Sequence, residues 1–241
     1  MTLTVIGCYG AYPPPSGATS GYLIEEGDTK VLLDCGSGVL AKLQEQLPLS
    51  ELDGVVITHY HPDHSADLGC LQYAVMIDTQ LARRSKSFVA YGPGDRSVLT
   101  YHRYCQGYSY EELSSFTIGS LTFEVFKNIH EITCYAIKAI DRQGNVIVYS
   151  GDTGYNEELA RFASRCDCFL CEASFYKEQA NPAKQHLTAF EAGQLGRLAQ
   201  AKLLVLTHLP HFGEPEQLIT NAKIVYDGNT RLAKQWLKIS L

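Results

Sequence analysis

Three histidines and an aspartate fall within six residues in the stretch Val55-Val56-Ile57-Thr58-His59-Tyr60-His61-Pro62-Asp63-His64-Ser65-Ala66-Asp67-Leu68-Gly69. Val55 to Ile57 is β-branched and apolar, which reads as a buried strand. Pro62 breaks that strand and stiffens the turn, and Asp63 or Ser65 can cap a helix beyond it. The loop at the C-terminal end of a strand is where α/β proteins usually place their chemistry. His59 and His61, two apart on extended chain, point to the same side and can grip one cation. Asp63 and His64 are adjacent where the chain turns and can face a second. Imidazole with carboxylate suits zinc, iron or manganese better than calcium or magnesium. The bland alternative is a histidine-rich surface loop, but four ligand-type residues after a buried strand are costly without a task.

Four more residues stand at the ends of apolar runs or beside helix starts. Asp152 ends Val146-Ile147-Val148-Tyr149 in the sequence Ser150-Gly151-Asp152-Thr153. A carboxylate there can bridge two cations or simply cap a helix. Leu203-Leu204-Val205-Leu206-Thr207-His208 repeats the pattern Val55-Val56-Ile57-Thr58-His59, an echo that fits a fold of two similar halves. His130, in Asn128-Ile129-His130-Glu131, is a weak signal by itself. His186 lies in the loop Asn181 to Leu187, just before a helix, and could protonate a leaving oxygen or only hydrogen-bond the helix start. His211 points either to substrate or to solvent, and His102 has no ligand-type neighbours. Cys166-Asp167-Cys168-Phe169-Leu170-Cys171-Glu172 tempts a zinc-knuckle reading. It lacks a second cysteine or histidine pair, and its alternation is that of a strand with buried thiols. Asp34-Cys35-Gly36-Ser37-Gly38 lacks the lysine of a phosphate-binding loop.

The segment His59-Tyr60-His61-Pro62-Asp63-His64 resembles the HxHxDH signature of the metallo-β-lactamase fold hydrolases. The Ser-Gly-Asp-Thr motif at Asp152, the Glu172-Ala173-Ser174-Phe175 stretch, the His186-Leu187-Thr188 motif and Leu206-Thr207-His208 resemble the ribonuclease Z branch. The resemblance covers nearly the whole chain. It implies an αββα sandwich, with two mixed β-sheets face to face and helices outside, as one domain over residues 1–241. It also implies two divalent ions, zinc first and manganese second. His59, His61 and His130 would hold one, Asp63, His64 and His208 the other, and Asp152 would bridge. Asp34 is expected behind one of the histidines, orienting it. Such a pair brings a water's pKa from about 15.7 toward neutrality. Asp63 would orient that water and His186 would protonate the leaving group.

The implied activity is a phosphodiesterase cleaving RNA or a small or cyclic phosphodiester. The first alternative is a lactone, thioester or β-lactam hydrolase on the same metals, and the second a non-catalytic metal-binding relative. Two features separate this chain from ribonuclease Z proper. The segment between His130 and Asp152 is too short for a tRNA-binding arm, and His208-Leu209-Pro210-His211-Phe212 replaces the branch's His-x-Ser-x-Arg-Tyr ending. Both point away from tRNA and toward a smaller ester. The family's habit also makes a homodimer an expectation.

Composition limits the field further. The formal charge is −6 and the pI about 5.7, which does not suit a natural polyanion binder. Two bound dications would reverse the field locally. The chain begins with a strand rather than a basic and apolar leader, has no run near the ~18 apolar residues of a membrane span, and carries eight cysteines. These features lead us to expect a cytoplasmic protein with reduced thiols.

The remaining pattern predicts the elements that must position these groups. Strands are expected at Leu3–Gly7, at Gly21–Glu26 and Thr29–Asp34 as a hairpin, at Ser87–Tyr91, Leu121–Lys127, Cys134–Ala139, Asn145–Ser150 and Cys168–Glu172, and at Lys223–Tyr226. Helices are expected from the Gly36 turn to Leu47, over Asp67–Arg83, around Arg96 to Arg103, after Gly154, after His186, after Glu214, and at the end around Trp236. Tyr9 and Tyr12 flank a proline-rich loop that is either a lip over the site or plain surface. Tyr101 to Tyr110 is dense in tyrosine and reads equally as an interface, a substrate wall or core.

Overall fold

The computed structural model describes residues 1–179 and 184–241. The first half runs β1 (Thr2–Gly7), β2 (Gly21–Glu26), β3 (Thr29–Leu33), α1 (Val39–Leu43), β4 (Gly54–Val56), α2 (Pro62–Ser65), α3 (Leu68–Gln80), β5 (Phe88–Gly92) and β6 (Cys105–Ser109). The second runs β7 (Phe116–Ile118), β8 (Leu121–Lys127), β9 (Tyr135–Ile140), β10 (Val146–Tyr149), α4 (Glu157–Phe162), β11 (Cys168–Glu172), α5 (Ala189–Ala199), β12 (Leu203–Thr207), α6 (Pro215–Lys223), β13 (Asn229–Leu232) and β14 (Lys238–Ser240). They form two seven-stranded sheets, ordered β14-β1-β2-β3-β4-β5-β6 and β13-β12-β11-β10-β9-β8-β7. Each sheet joins an antiparallel part to a parallel one. The switch comes at β3 in the first sheet and at β10 in the second.

Alternation explains the layering. Leu3 and Val5, Tyr22 and Ile24, Val31 and Leu33, and Val56 face inward and meet Leu121, Phe123, Ile137, Ala139 and Ile147 of the other sheet. Their neighbours Ile6, Leu23, Leu32, Val55 and Ile57 face outward under Val39, Leu43, Leu68, Leu71 and Val75 of α1 and α3. A strand that feeds both layers must be apolar on both faces, which is why the Val55–Ile57 run is continuous. The architecture is the αββα sandwich expected.

The active loops sit where strands end. β4 runs parallel beside β3, so the turn after β3 and the loop after β4 emerge side by side. β10, β11 and β12 are parallel to one another and deliver Asp152, Glu172 and His208 to one edge of their sheet. Gly36 makes the join close: a Cβ there would collide with the Asp63 carbonyl and the Thr19 hydroxyl.

Three expectations are corrected. The segment around Arg96 to Arg103 is turns rather than helix, leading into edge strand β6. Gly107 lies against the Arg96 carbonyl and Leu99 Cβ, an approach that a side chain would block. No strand forms at Lys223–Tyr226; α6 runs through Lys223, and the strand is β13, paired with β12. The chain ends in β14, not in a helix around Trp236, because β1 presents an edge that Lys238–Ser240 covers antiparallel. Within the tyrosine-rich segment, Tyr110 is buried and donates to the Ile57 carbonyl at 2.7 Å, so it supports the histidine loop, whereas Tyr108 is exposed. All eight cysteines are free and, except Cys70, buried, Cys166, Cys168 and Cys171 among them. Among the described residues no helix is long and apolar enough to cross a membrane.

Candidate metal centre

The seven residues picked out as ligands converge. His59, His61, His130 and Asp152 form one group, and Asp63, His64, Asp152 and His208 a second; the donor atoms of each lie within 4.8 Å of one another. Asp152 belongs to both. His59 Nε2 and His130 Nε2 lie 3.1 and 3.2 Å from His61 Nδ1. His208 Nε2 lies 3.1 Å from Asp63 Oδ2 and 3.4 Å from Asp152 Oδ2, and His64 Nε2 is 3.2 Å from Asp152 Oδ1.

The outer nitrogen of each ring explains these directions. Thr58 donates its hydroxyl proton to Asp34, so it can only accept from His59 Nδ1, 3.0 Å away. His61 Nε2 donates to Glu131 at 2.9 Å and His130 Nδ1 to the Gln185 carbonyl at 3.2 Å. His64 Nδ1 donates to Asp34 Oδ2 at 2.7 Å. Ser174 donates to Glu172 and therefore accepts from His208 Nδ1 at 2.8 Å. Every ring thus carries its hydrogen outward and turns a lone pair toward the cavity, the tautomer a metal ligand needs. Asp34 stands where the sequence placed it, behind His64, and also accepts from the Thr58 N–H at 2.7 Å and the Tyr149 hydroxyl at 2.9 Å.

The donor set fits divalent cations. His64 Nε2 and Asp152 Oδ1 are buried and face each other at 3.2 Å without a well-aligned hydrogen bond, and neither has another hydrogen-bond partner among the described residues, a costly state for two polar atoms aimed at one cavity. Imidazole and carboxylate together match zinc, iron or manganese.

Charge is balanced inside the cluster. Burial pushes His59 well below its usual range, aided by its neighbour His64, and lowers His130. Burial is the largest single influence on His64 and His208 and opposes their charge, but Asp152 together with Asp34 at His64, and with Asp63 and Glu172 at His208, holds both above their usual range. Burial would raise Asp63 and Asp152, but the histidines, His208 foremost, hold both well below. His186 is half-buried, yet Glu172 at 3.2 Å pushes it up to about 9. A cation must compete with protonation of His64 and His208, because imidazole binds a metal only in its neutral form. Metal uptake is therefore expected to release protons, and apparent affinity to fall as pH drops. Zinc titrations in a weakly buffered indicator solution measure both.

His186 stacks on His208, with centroids 5.5 Å apart, and so stands beside the second group rather than within it. Of the loop Asn181 to Leu187, residues 181–183 lie outside the described residues. His102 is exposed, away from both groups. His211 meets neither group and stacks on Tyr12. Sequence reasoning missed Ser174, Tyr149, Ala11 and Gly10. Ser174 lies two residues from Glu172 on one side of the chain, a signal that was available. Gly10 was not legible: a Cβ there would stand 2.5 and 2.6 Å from His208 Cε1 and Nδ1. Gly10→Ala is expected to fold but to lose activity by about 100-fold, as a ligand displaced by an ångström does. A thermal melt beside a rate measurement checks it.

The Beta-lactamase superfamily domain profile matches residues 29–209. The chain belongs to that superfamily. It is 39% identical over 239 residues to the probable metallo-hydrolase YhfI of Bacillus subtilis, covering 97% of each chain. The crystal structure of YhfI superposes with a TM-score of 0.95 at 38% identity, over 99% of this chain and 98% of that one. Ribonuclease Z of Methanopyrus kandleri is 26% identical over 271 residues, covering 94% of this chain and 93% of the enzyme. Human tRNase Z, short form, shares this superfamily member's fold with a TM-score of 0.78 at 22% identity, over 100% and 99% of the two chains.

Proposed function

We propose that the protein is a binuclear metal-dependent phosphodiesterase acting on small or cyclic esters. The observation that carries this is Asp152 shared between two donor groups, since a carboxylate common to two cation sites is how two-metal hydrolases are built. A bound metal pair, zinc first among the candidates, supplies an acidified water and neutralises charge on the attacked phosphate. His59, His61 and His130 would hold one ion and Asp63, His64 and His208 the other, with Asp152 available to both.

The remaining steps belong to side chains. Asp63 Oδ2 is fixed by the Ala11 N–H at 2.7 Å, so the carboxylate is oriented to accept a hydrogen bond from water. Glu172 is itself held by the Thr153 and Leu187 N–H groups and the Ser174 hydroxyl. It grips His186 Nδ1 and keeps the ring charged near neutral pH. The proton on Nε2 of that imidazolium is the one a departing ester oxygen would take. Beside His186 and His208 lies a cavity of about 240 Å³, walled by Tyr12, Phe175, Pro210 and Phe212. That volume accommodates one small ester substituent. The relatives named ribonuclease Z support phosphodiester chemistry over acyl transfer.

Protein loaded with zinc or manganese should carry two ions and hydrolyse bis(p-nitrophenyl) phosphate or a cyclic phosphodiester faster than a tRNA precursor or a lactone. Chelation should abolish the rate and lower Tm, since an ion bound only by the folded state stabilises it by mass action. Preferential lactone turnover would sink the phosphodiester assignment, and the absence of metal uptake would sink the centre.

A further inference from the structure

The turn between β1 and the proline-rich loop is held unusually tightly over the candidate centre. Ala11 sits at φ 62°, in the left-handed region that a non-glycine residue keeps only when its surroundings impose it. Its N–H donates to Asp63 Oδ2, and Gly10 lies directly against the His208 ring. The Gly10 N–H is anchored to the Leu209 carbonyl at 3.1 Å. What closes the turn from the far side is His211. Its Nε2 lies 2.7 Å from the Tyr12 carbonyl and 3.2 Å from the Gly10 carbonyl. Both partners can only accept, so Nε2 carries the hydrogen and donates to both. The ring also stacks on Tyr12, with centroids 3.8 Å apart and planes within 7°, and lies against Tyr9 at 5.2 Å.

We infer that His211 is a positioning residue of the metal centre: by clipping the carbonyls of Gly10 and Tyr12 it keeps the Ala11 N–H on Asp63 and Gly10 against His208. This rests on the two-metal reading above. The effect is confined to the group Asp63, His64, Asp152 and His208, because the turn touches none of His59, His61 or His130 through the bonds described. The donor on Nε2 carries the role, and the flat ring serves to stack. The two functions separate by substitution. His211→Phe keeps a ring and loses the donor; His211→Gln keeps an N–H of similar reach and loses the ring.

Cobalt(II) titration followed by visible absorption reads the centre without any substrate. The parent should take up two equivalents. In His211→Phe the first should bind as in the parent and the second about 10- to 100-fold more weakly, the usual cost of removing a ligand's outer hydrogen-bonding support, with a changed d–d band. At saturating cobalt, kcat on bis(p-nitrophenyl) phosphate should fall about 10-fold while KM stays put. His211→Gln should recover most of both. Second-site affinity in His211→Phe equal to the parent's would overturn the inference, as would equal losses in the two variants with equal falls in Tm. A parent that takes up no cobalt overturns the two-metal reading and this inference with it.

Discussion

Asp152→Ala is expected to lower hydrolytic turnover by a factor on the order of 10³ or more, equivalent to about 4 kcal/mol of transition-state stabilisation, and to lower bound metal in parallel. The carboxylate is the one donor common to both groups. It also counters His64 and His208, so its removal leaves both ion sites short of charge. The loss should not come from unfolding. The hydrogen bonds that tie this position into the fold run to its backbone: the Asp152 carbonyl accepts from Asn128 Nδ2 at 3.0 Å and Cys134 Sγ at 3.2 Å, and neither needs the side chain. Far-UV circular dichroism should therefore match the parent while elemental analysis and rate fall together. A variant with a full metal complement and parental rate would remove the carboxylate from the centre.

Asp34→Ala is the variant expected to cost the most stability, about 3–5 kcal/mol, the cost of leaving buried partners uncompensated. The Asp34 side chain is fully buried and accepts from the Thr58 N–H, the Thr58 hydroxyl, His64 Nδ1 and the Tyr149 hydroxyl. Alanine strands all of these donors and inherits a left-handed backbone at φ 54°, which disfavours it. At roughly 2–4 °C per kcal/mol for a chain of this size, Tm should fall by about 10 °C. His64 would also lose the partner that turns its Nε2 inward, so metal affinity should fall about 10- to 100-fold. Asp34→Asn tolerates the backbone and keeps one acceptor, so it should recover much of the Tm but little of the metal affinity. Differential scanning calorimetry with metal titration separates the two. An Asp34→Ala protein as stable as the parent would mean the network contributes nothing.

The candidate centre was legible because its residues are tied to strand ends. Each apolar run, Val55–Ile57, Val146–Tyr149 and Leu203–Thr207, ends within a few residues of a ligand-type side chain. Buried parallel strands must be apolar throughout, so the polar residue that ends one stands out. His130 is different. It lies in a loop with no periodic signal, and only the resemblance pointed to it; the fold brings it against His61 through the β8–β9 turn. The three misread elements share one cause. Each lies just before an edge strand, β6, β13 or β14, where pairing with a distant strand decides the conformation and local propensity does not.

What the amino-acid order determined by itself is the layered α/β pattern and the identity of the groups able to bind cations, because alternation and residue chemistry are local properties. What only the folded chain decided is how those groups are held. Partners far apart in sequence, Asp34 behind His64, Ser174 behind His208 and His211 behind the Ala11 turn, choose each ring's tautomer and each carboxylate's direction. The first two pairs form only when neighbouring parallel strands, β3 with β4 and β11 with β12, have docked, and the third only once the two sheets have packed face to face.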